Sequence, residues 1–225
     1  MWNLLLEKEY LEVNVNLIKR LRQSLVENEQ FYPRSFSETE MNSFCSYYQI
    51  VLKWNQYLPL TTITTPSEFA ERNLLEAAFT SQYLLHTTRR IWDIGSGVGI
   101  PGVPLAILRP DLTISLIESN KKKSIFLKEV VGELRIDNVQ IVQERFQNVT
   151  GEKAEDCVIT RAIDGLSKQV QDVLSFGQRT SQIILLGNLI ILEHSQKYLN
   201  AGWVTRAYSI PKSENRLAIS FSRFT

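Results

Sequence analysis

The stretch "IWDIGSGVGIPGVPLAILRP", residues 91–110, decides the fold. Glycines at 95, 97, 99 and 102, with prolines at 101 and 104, follow a short apolar run that ends at Asp93. Glycine is costly to order and is placed where the backbone turns left-handed or passes close to another group. The run before Asp93 reads as a buried strand, the glycines as a bare bend, and Gly102–Leu108 as a helix. Proline suits the first turn of that helix, because its missing N–H would have no partner there.

Working outward, the texture of the chain differs on the two sides of the bend. From residue 1 to 86 the spacing is helical. Leu17, Ile18, Leu21 and Leu25 form an amphipathic stripe. Ser37 followed by Glu40 has the form of a capping box, and Phe44, Tyr47, Tyr48, Val51 and Trp54 line one face behind it. Pro66 opens a third helix through Phe69, Leu74, Leu75 and Phe79. The aromatic stripe could be a ligand platform, but helical spacing reads first as core packing.

From 87 to 225 short strand-like runs appear: "RIWDIG", "LTISLIES", "NVQIVQ", "DCVITRA", "QIILLG", "WVTRAYS" and "RLAISFS". Helix-like segments at Gly102–Leu108, Ser124–Leu134, 144–149 and Ile163–Gln178 separate the first five. Strands alternating with helices predict a doubly wound α/β architecture, a parallel sheet covered on both faces. Only "IPKSEN" joins the last two runs, which predicts an antiparallel hairpin at the edge.

Composition excludes several classes. The chain has 225 residues, 44% hydrophobic and 22% charged, enough for a sizeable core. A formal net charge of +1 gives no global field toward nucleic acid or membrane, so any RNA contact must rest on a local basic face. Cys45 and Cys157 lack metal-ligand spacing, so no metal is expected; "CVI" makes Cys157 a small buried hydrophobe. The opening "MWNLLLEKEYLEV" has acids where a secretory leader is basic, and no apolar run approaches ~20 residues. A cytoplasmic, soluble, monomeric chain is expected.

The bend carries the chemistry. Glu118 ends the second strand, 25 positions beyond Asp93, where an acid can accept hydrogen bonds from ribose hydroxyls. A dinucleotide would seat its pyrophosphate on the helix N-terminus. The spacing here is Gly-x-Gly-x-Gly-x-x-Gly, behind an aspartate. A carboxylate beside pyrophosphate is electrostatically poor; beside a sulfonium and an ammonium it is favourable. These signs favour S-adenosyl-L-methionine over NAD(P) or FAD.

"WDIGSGVGIPGVPLAILRPDLTISLIESNKKKSIFLKEVVGEL" resembles the signature of the bacterial 16S rRNA guanine-N7 methyltransferase family, RsmG (GidB). Its Gly-Ile-Pro-Gly-Val-Pro-Leu-Ala segment is the specific part. Upstream "KWNQYLPLTTITTPSEFAERNLLEAAF", and downstream "CVITRAI" and "ENRLAIS", extend the likeness from about Trp54 to Arg216. The resemblance implies a class I methyltransferase (Rossmann-like) fold with strand order 3-2-1-4-5-7-6 and strand 7 antiparallel, behind a helical N-terminal extension. It implies methyl transfer to N7 of a guanine in a decoding-region loop of 16S rRNA, with the small ribosomal subunit as partner.

Cofactor positions carried over are Gly95, Ile100, Phe146, Gln147 and Arg161. Asp93, Gly97, Gly99 and Glu118 join them from the bend and the strand end. Phe146 can stack on adenine or pack in the core. Arg145, Arg161 and Arg216 match family arginines and would position the substrate; each could instead be a surface ion pair. Guanine N7 needs no general base, so catalysis rests on positioning. "NKKKS", 120–124, could meet phosphates or be a solvated helix face.

The chain departs from the family pattern at several points. "RNLLEA" stands where Arg-His-x-x-Asp-Ser is usual, giving Asn73, Glu76 and Ala77. Pro59 replaces an asparagine and Leu186 a lysine. A retargeted or non-catalytic RNA-binding homologue is the alternative these departures leave open.

Overall fold

The computed structural model describes residues 2–32, 35–150, 156–161 and 168–223, with backbone alone for 2–13 and 168. Helix α1 (Trp2–Glu27) buries Leu21 and Leu25 and half-buries Leu17 and Ile18, the expected stripe. Helix α2 (Glu38–Asn55) starts on the expected capping box. The Glu40 N–H donates to Ser37 Oγ at 3.3 Å, and the Ser37 N–H donates to Glu40 Oε2 at 2.8 Å. Phe44, Tyr47, Tyr48 and Val51 are fully buried, so the aromatic stripe is core.

The third helix is not uniform. It runs as α3 (Pro66–Phe69), a π-helical turn (Ala70–Leu75) and α4 (Glu76–Ser81). Widened turns of this kind leave carbonyls without their usual helical donors and recur at functional sites.

Behind these helices come β1 (Arg90–Ile94), α5 (Gly102–Leu108), β2 (Thr113–Ile117), α6 (Lys121–Leu134), β3 (Val139–Val142) and β4 (Asp156–Arg161). Then follow α7 (Lys168–Gly177), β5 (Gln182–Gly187), α8 (Leu189–Gln196), β6 (Trp203–Ser209) and β7 (Leu217–Arg223). The sheet has seven strands in the order β3-β2-β1-β4-β5-β7-β6, with β7 antiparallel to both neighbours. This is the expected topology. The order reverses between β1 and β4, and open α/β sheets bind ligands at the strand ends beside such a switch.

Alternate residues of each strand face opposite layers. Ile91, Cys157 and Ile184 face a cluster shared with α2, the Pro66–Ser81 helix, α5 and α6. Trp92, Val158 and Ile183 face the layer of α7 and α8. Leu186, at a departure from the family pattern, is buried in the first cluster.

The helices between the strands follow expectation except in local detail. Helix α6 begins at Lys121 rather than Ser124, because Asn120 Oδ1 accepts from the N–H groups of Lys122 and Lys123 and caps it there. The segment 144–149 holds only a 3-10 turn, Phe146–Asn148. Helix α7 lies inside the expected Ile163–Gln178, of which 163–167 fall outside the described residues. Helix α8 was not legible, since Leu189 and Ile190 are exposed and blur its amphipathic pattern; Asn188 caps it by accepting from the Ile191 N–H.

Candidate active site

The bend after β1 is left-handed at Gly95, Gly97 and Gly99, with φ of 69°, 57° and 90°. The N–H groups of Gly95 and Ser96 donate to the Ile117 carbonyl at 2.9 and 3.1 Å, tying the bend to β2. Glu118 holds it from the side. Its Oε2 accepts from the Gly97 N–H at 2.9 Å and its Oε1 from the Asn120 N–H at 2.7 Å. Tyr47, on α2, donates its hydroxyl to the Val98 carbonyl, so the N-terminal helices touch the bend directly. At Gly102 an added Cβ would lie 2.3 Å from Leu116 Cδ2. Only glycine lets α5 pack that closely on the sheet.

Asp93 sits fully buried behind this bend. Its Oδ2 accepts from the Gly102 N–H at 3.1 Å, and its Oδ1 has no donor among the described residues. Burial pushes its pKa up to about 7, against the pull of the Gly102 N–H. An acid in that state is stabilised by a nearby positive charge.

Two cavities open on the other side of the bend. The first, of about 360 Å³, is walled by Gly95, Glu118, Arg145, Phe146, Gln147 and Arg161, with Thr160, Gln169 and Val173. Six sequence-predicted residues therefore meet there. Phe146 meets Phe176 edge to face at 5.7 Å, and Gln147 Nε2 donates to Asp172 Oδ2 at 3.3 Å. An added Cβ at Gly95 would find nothing within 4 Å, so a side chain there would point into free space.

The second cavity, of about 560 Å³, is walled by the loop Pro59–Ile63, Asn73, Gly95, Gly97, Ile100, Lys123, Arg161 and Arg216. Asn55 shapes the loop: its Oδ1 accepts from the N–H groups of Leu60 and Thr61, and its Nδ2 donates to the Thr61 carbonyl. Gly95 and Arg161 belong to both cavities.

Asp93 and Gly99 line neither cavity. Asp93 stands behind the bend, its Oδ2 held by the first N–H of α5. At Gly99 a Cβ would lie 2.6 Å from Val103 Cγ2, so that glycine serves packing.

The arginines are held by residues that sequence reasoning did not single out as functional. Arg161 Nη1 donates to the Arg72 carbonyl and to Asn73 Oδ1, both at 2.7 Å, and its Nε lies 3.8 Å from Glu76 Oε1. Arg216 donates from Nε to Glu76 Oε2 at 3.0 Å and from Nη2 to Glu76 Oε1. Burial works against the Arg161 charge and Glu76 supports it. Glu76 is 1% exposed, so one buried acid anchors two guanidiniums. These pairs join positions 88 and 140 apart, beyond any local spacing signal.

Residues 40–197 match the family described as GidB, rRNA small subunit methyltransferase G. Proteins named ribosomal RNA small subunit methyltransferase G from Nitrosomonas eutropha and Chromobacterium violaceum are 36% and 38% identical over 122 and 135 residues. Those matches cover 54% and 60% of this chain, and 56% and 64% of the relatives' own length. Among solved structures, a precorrin-6y C5,15-methyltransferase from Geobacter metallireducens GS-15 is similar with a TM-score of 0.52 at 17% identity. That likeness covers 73% of this chain and 90% of that one. A human methyltransferase 10 domain containing protein is similar with a TM-score of 0.51 at 13% identity, covering 67% and 83%. At these identities the structural likeness bears on the fold alone.

Proposed function

This chain belongs to the GidB family, rRNA small subunit methyltransferase G, and on that premise we propose that it methylates N7 of a guanine in 16S rRNA, using S-adenosyl-L-methionine. The aligned segments span 56–66% of the first relatives' length. One observation carries it: two cavities share Gly95 and Arg161 as a common wall, which provides adjoining places for a donor and an acceptor.

The residues present fit the donor. Gly95 leaves free space where any side chain would intrude, Glu118 puts a carboxylate in the wall, and Asp93 keeps an unpartnered oxygen behind the bend. A cationic molecule with ribose hydroxyls suits that set. Glu118, Phe146 and Gln147 would hold the nucleoside part, and the Gly95–Gly97 bend with Asp93 the charged part. When bound, S-adenosyl-L-methionine supplies a methyl group on a positively charged sulfur.

This chain's own task is positioning. Guanine N7 has a lone pair and no proton, so no general base is needed, and neither His86 nor His194 lines either cavity. A base extruded from its loop would enter the second cavity, against the Pro59–Ile63 loop. Arg161 and Arg216, fixed by Glu76, supply positive charge there without free motion. Arg145, exposed at the rim of the first cavity, and Lys121 and Lys122, exposed at the start of α6, would meet phosphates, with half-buried Lys123 beside them in the wall of the second cavity. We also propose a division after residue 86, with the helical part supplying one wall of the substrate cavity, and a monomeric, cytoplasmic protein.

The test is incubation of small ribosomal subunits lacking the modification with labelled donor, followed by nucleoside analysis and mapping. Label in 7-methylguanine at one site supports the reading. Label in another base, or none, contradicts it.

A further inference from the structure

Asn73 is buried to 1% exposure in the wall of the second cavity, and its two polar atoms are treated differently. Oδ1 accepts from Arg161 Nη1 at 2.7 Å, while Nδ2 is buried with no acceptor among the described residues. The assignment of oxygen and nitrogen is set by the neighbour: a flipped amide would face a donor with a donor. A buried donor without an acceptor is costly, and native proteins keep few of them. Asn73 also sits in the π-helical turn, where the Arg72 carbonyl accepts from the same Arg161 atom. Two acceptors on one widened turn thus lock Arg161 and leave one donor over.

We propose that Asn73 Nδ2 is the group that selects guanine, by donating to O6 of the target base; this rests on the functional reading above. On the edge that carries N7, guanine presents O6, an acceptor, and adenine presents N6–H2, a donor. A fixed donor beside N7 therefore accepts guanine and meets adenine donor to donor. N7 itself has to stay unpaired to be methylated. Glu76 already takes Nε and Nη2 of Arg216, one of the two edges that a two-pronged grip on O6 and N7 could use. Asn73 Nδ2 adds to that wall a neutral, single-pronged donor that makes no other bond among the described residues.

The same logic applies to the departure from the family pattern at Asn73, where histidine is usual. A neutral histidine also offers one acceptor for Arg161 and one remaining donor. Asn73 reproduces that pair in a shorter side chain.

The experiment is a cycle of side chain against base atom. Small subunits are reconstituted with guanine, inosine (which keeps O6) or 2-aminopurine (which lacks it) at the mapped position. Initial rates are measured for the unaltered protein, Asn73→Ala and Asn73→His, with calorimetry of S-adenosylhomocysteine binding on each as a check of folding. The unaltered protein should methylate guanine and inosine alike and 2-aminopurine roughly ten- to hundredfold more slowly. Asn73→Ala should lose that preference by slowing on guanine and inosine alone, and Asn73→His should restore it. An equal slowing of Asn73→Ala on all three bases overturns the proposal and leaves the methyltransferase reading standing. No transfer by the unaltered protein to any of them, with S-adenosylhomocysteine bound, overturns that reading and the proposal with it.

Discussion

Glu118 accepts a hydrogen bond from the backbone N–H of Gly97 at 2.9 Å, so the acid that ends β2 holds the bend that follows β1. Strand pairing makes this possible, because Ile94 and Ile117 lie side by side in register and deliver both turns to one place. The same carboxylate stands in the wall of the first cavity.

Replacing Glu118 by alanine leaves the N–H groups of Gly97 and Asn120 without their acceptor. That should cost about 1–3 kcal/mol of stability and at least ~10-fold in affinity for S-adenosylhomocysteine. Glu118→Gln keeps one acceptor and should recover stability more than affinity. Urea denaturation and calorimetry together separate the two losses, and wild-type affinity in both variants would refute a role in binding.

Two glycines should fail in different ways. Gly95→Ala puts a methyl group into free space at φ 69°, so strain is about 1–2 kcal/mol and ligand affinity should fall more than stability. Gly102→Ala drives a methyl group to 2.3 Å from Leu116 Cδ2 and 2.6 Å from Asp93 Oδ2. Overpacking of that kind costs about 1–3 kcal/mol, and here stability should fall first. Thermal denaturation beside calorimetry orders the effects.

Glu76 pairs with Arg216 from a fully enclosed position and lies near Arg161. Removing the acid alone strands buried positive charge, a loss of about 3–5 kcal/mol. Arg216→Ala should cost less, since Arg161 remains beside Glu76. A double-mutant cycle on Glu76 and Arg216 by urea denaturation should give a coupling above about 1 kcal/mol. Additive losses would show that the pair is incidental.

Asp93 makes stability depend on pH. Its carboxyl titrates at about 7 in the folded chain against 3.8 ordinarily, so between those values the folded state holds the extra proton. Stability therefore falls as pH rises through that window, by as much as about 4 kcal/mol for three pH units. A cationic ligand near the bend stabilises the ionised form, so affinity for S-adenosylmethionine should rise from pH 6 to pH 8. Asp93→Asn should flatten both dependences. Unfolding curves across pH, with and without ligand, decide the matter.

Much of this was legible in the chain. Period-two and period-four patterns gave the strands and most helices, and the Ser37–Glu40 box marked the start of α2. Strand order came from resemblance, because pairing between strands is non-local. The site was legible where it followed the backbone, at Gly95, Gly97 and Glu118. It was illegible where distant side chains meet: Glu76 with Arg216, Asn73 with Arg161. Asn73 and Glu76 read as departures from a family pattern, yet they are the residues that hold the arginines. The place of Asp93 behind the bend was not legible, since no pattern tells that the first N–H of α5 would take one of its oxygens.

A crystal of this protein soaked with S-adenosylhomocysteine tests the central claim most directly. Density for the ligand should lie in the cavity walled by Gly95, Glu118, Phe146 and Arg161, with the ribose against the Glu118 carboxylate. Ligand bound at another place, or a cavity that stays empty at millimolar concentration, would contradict it.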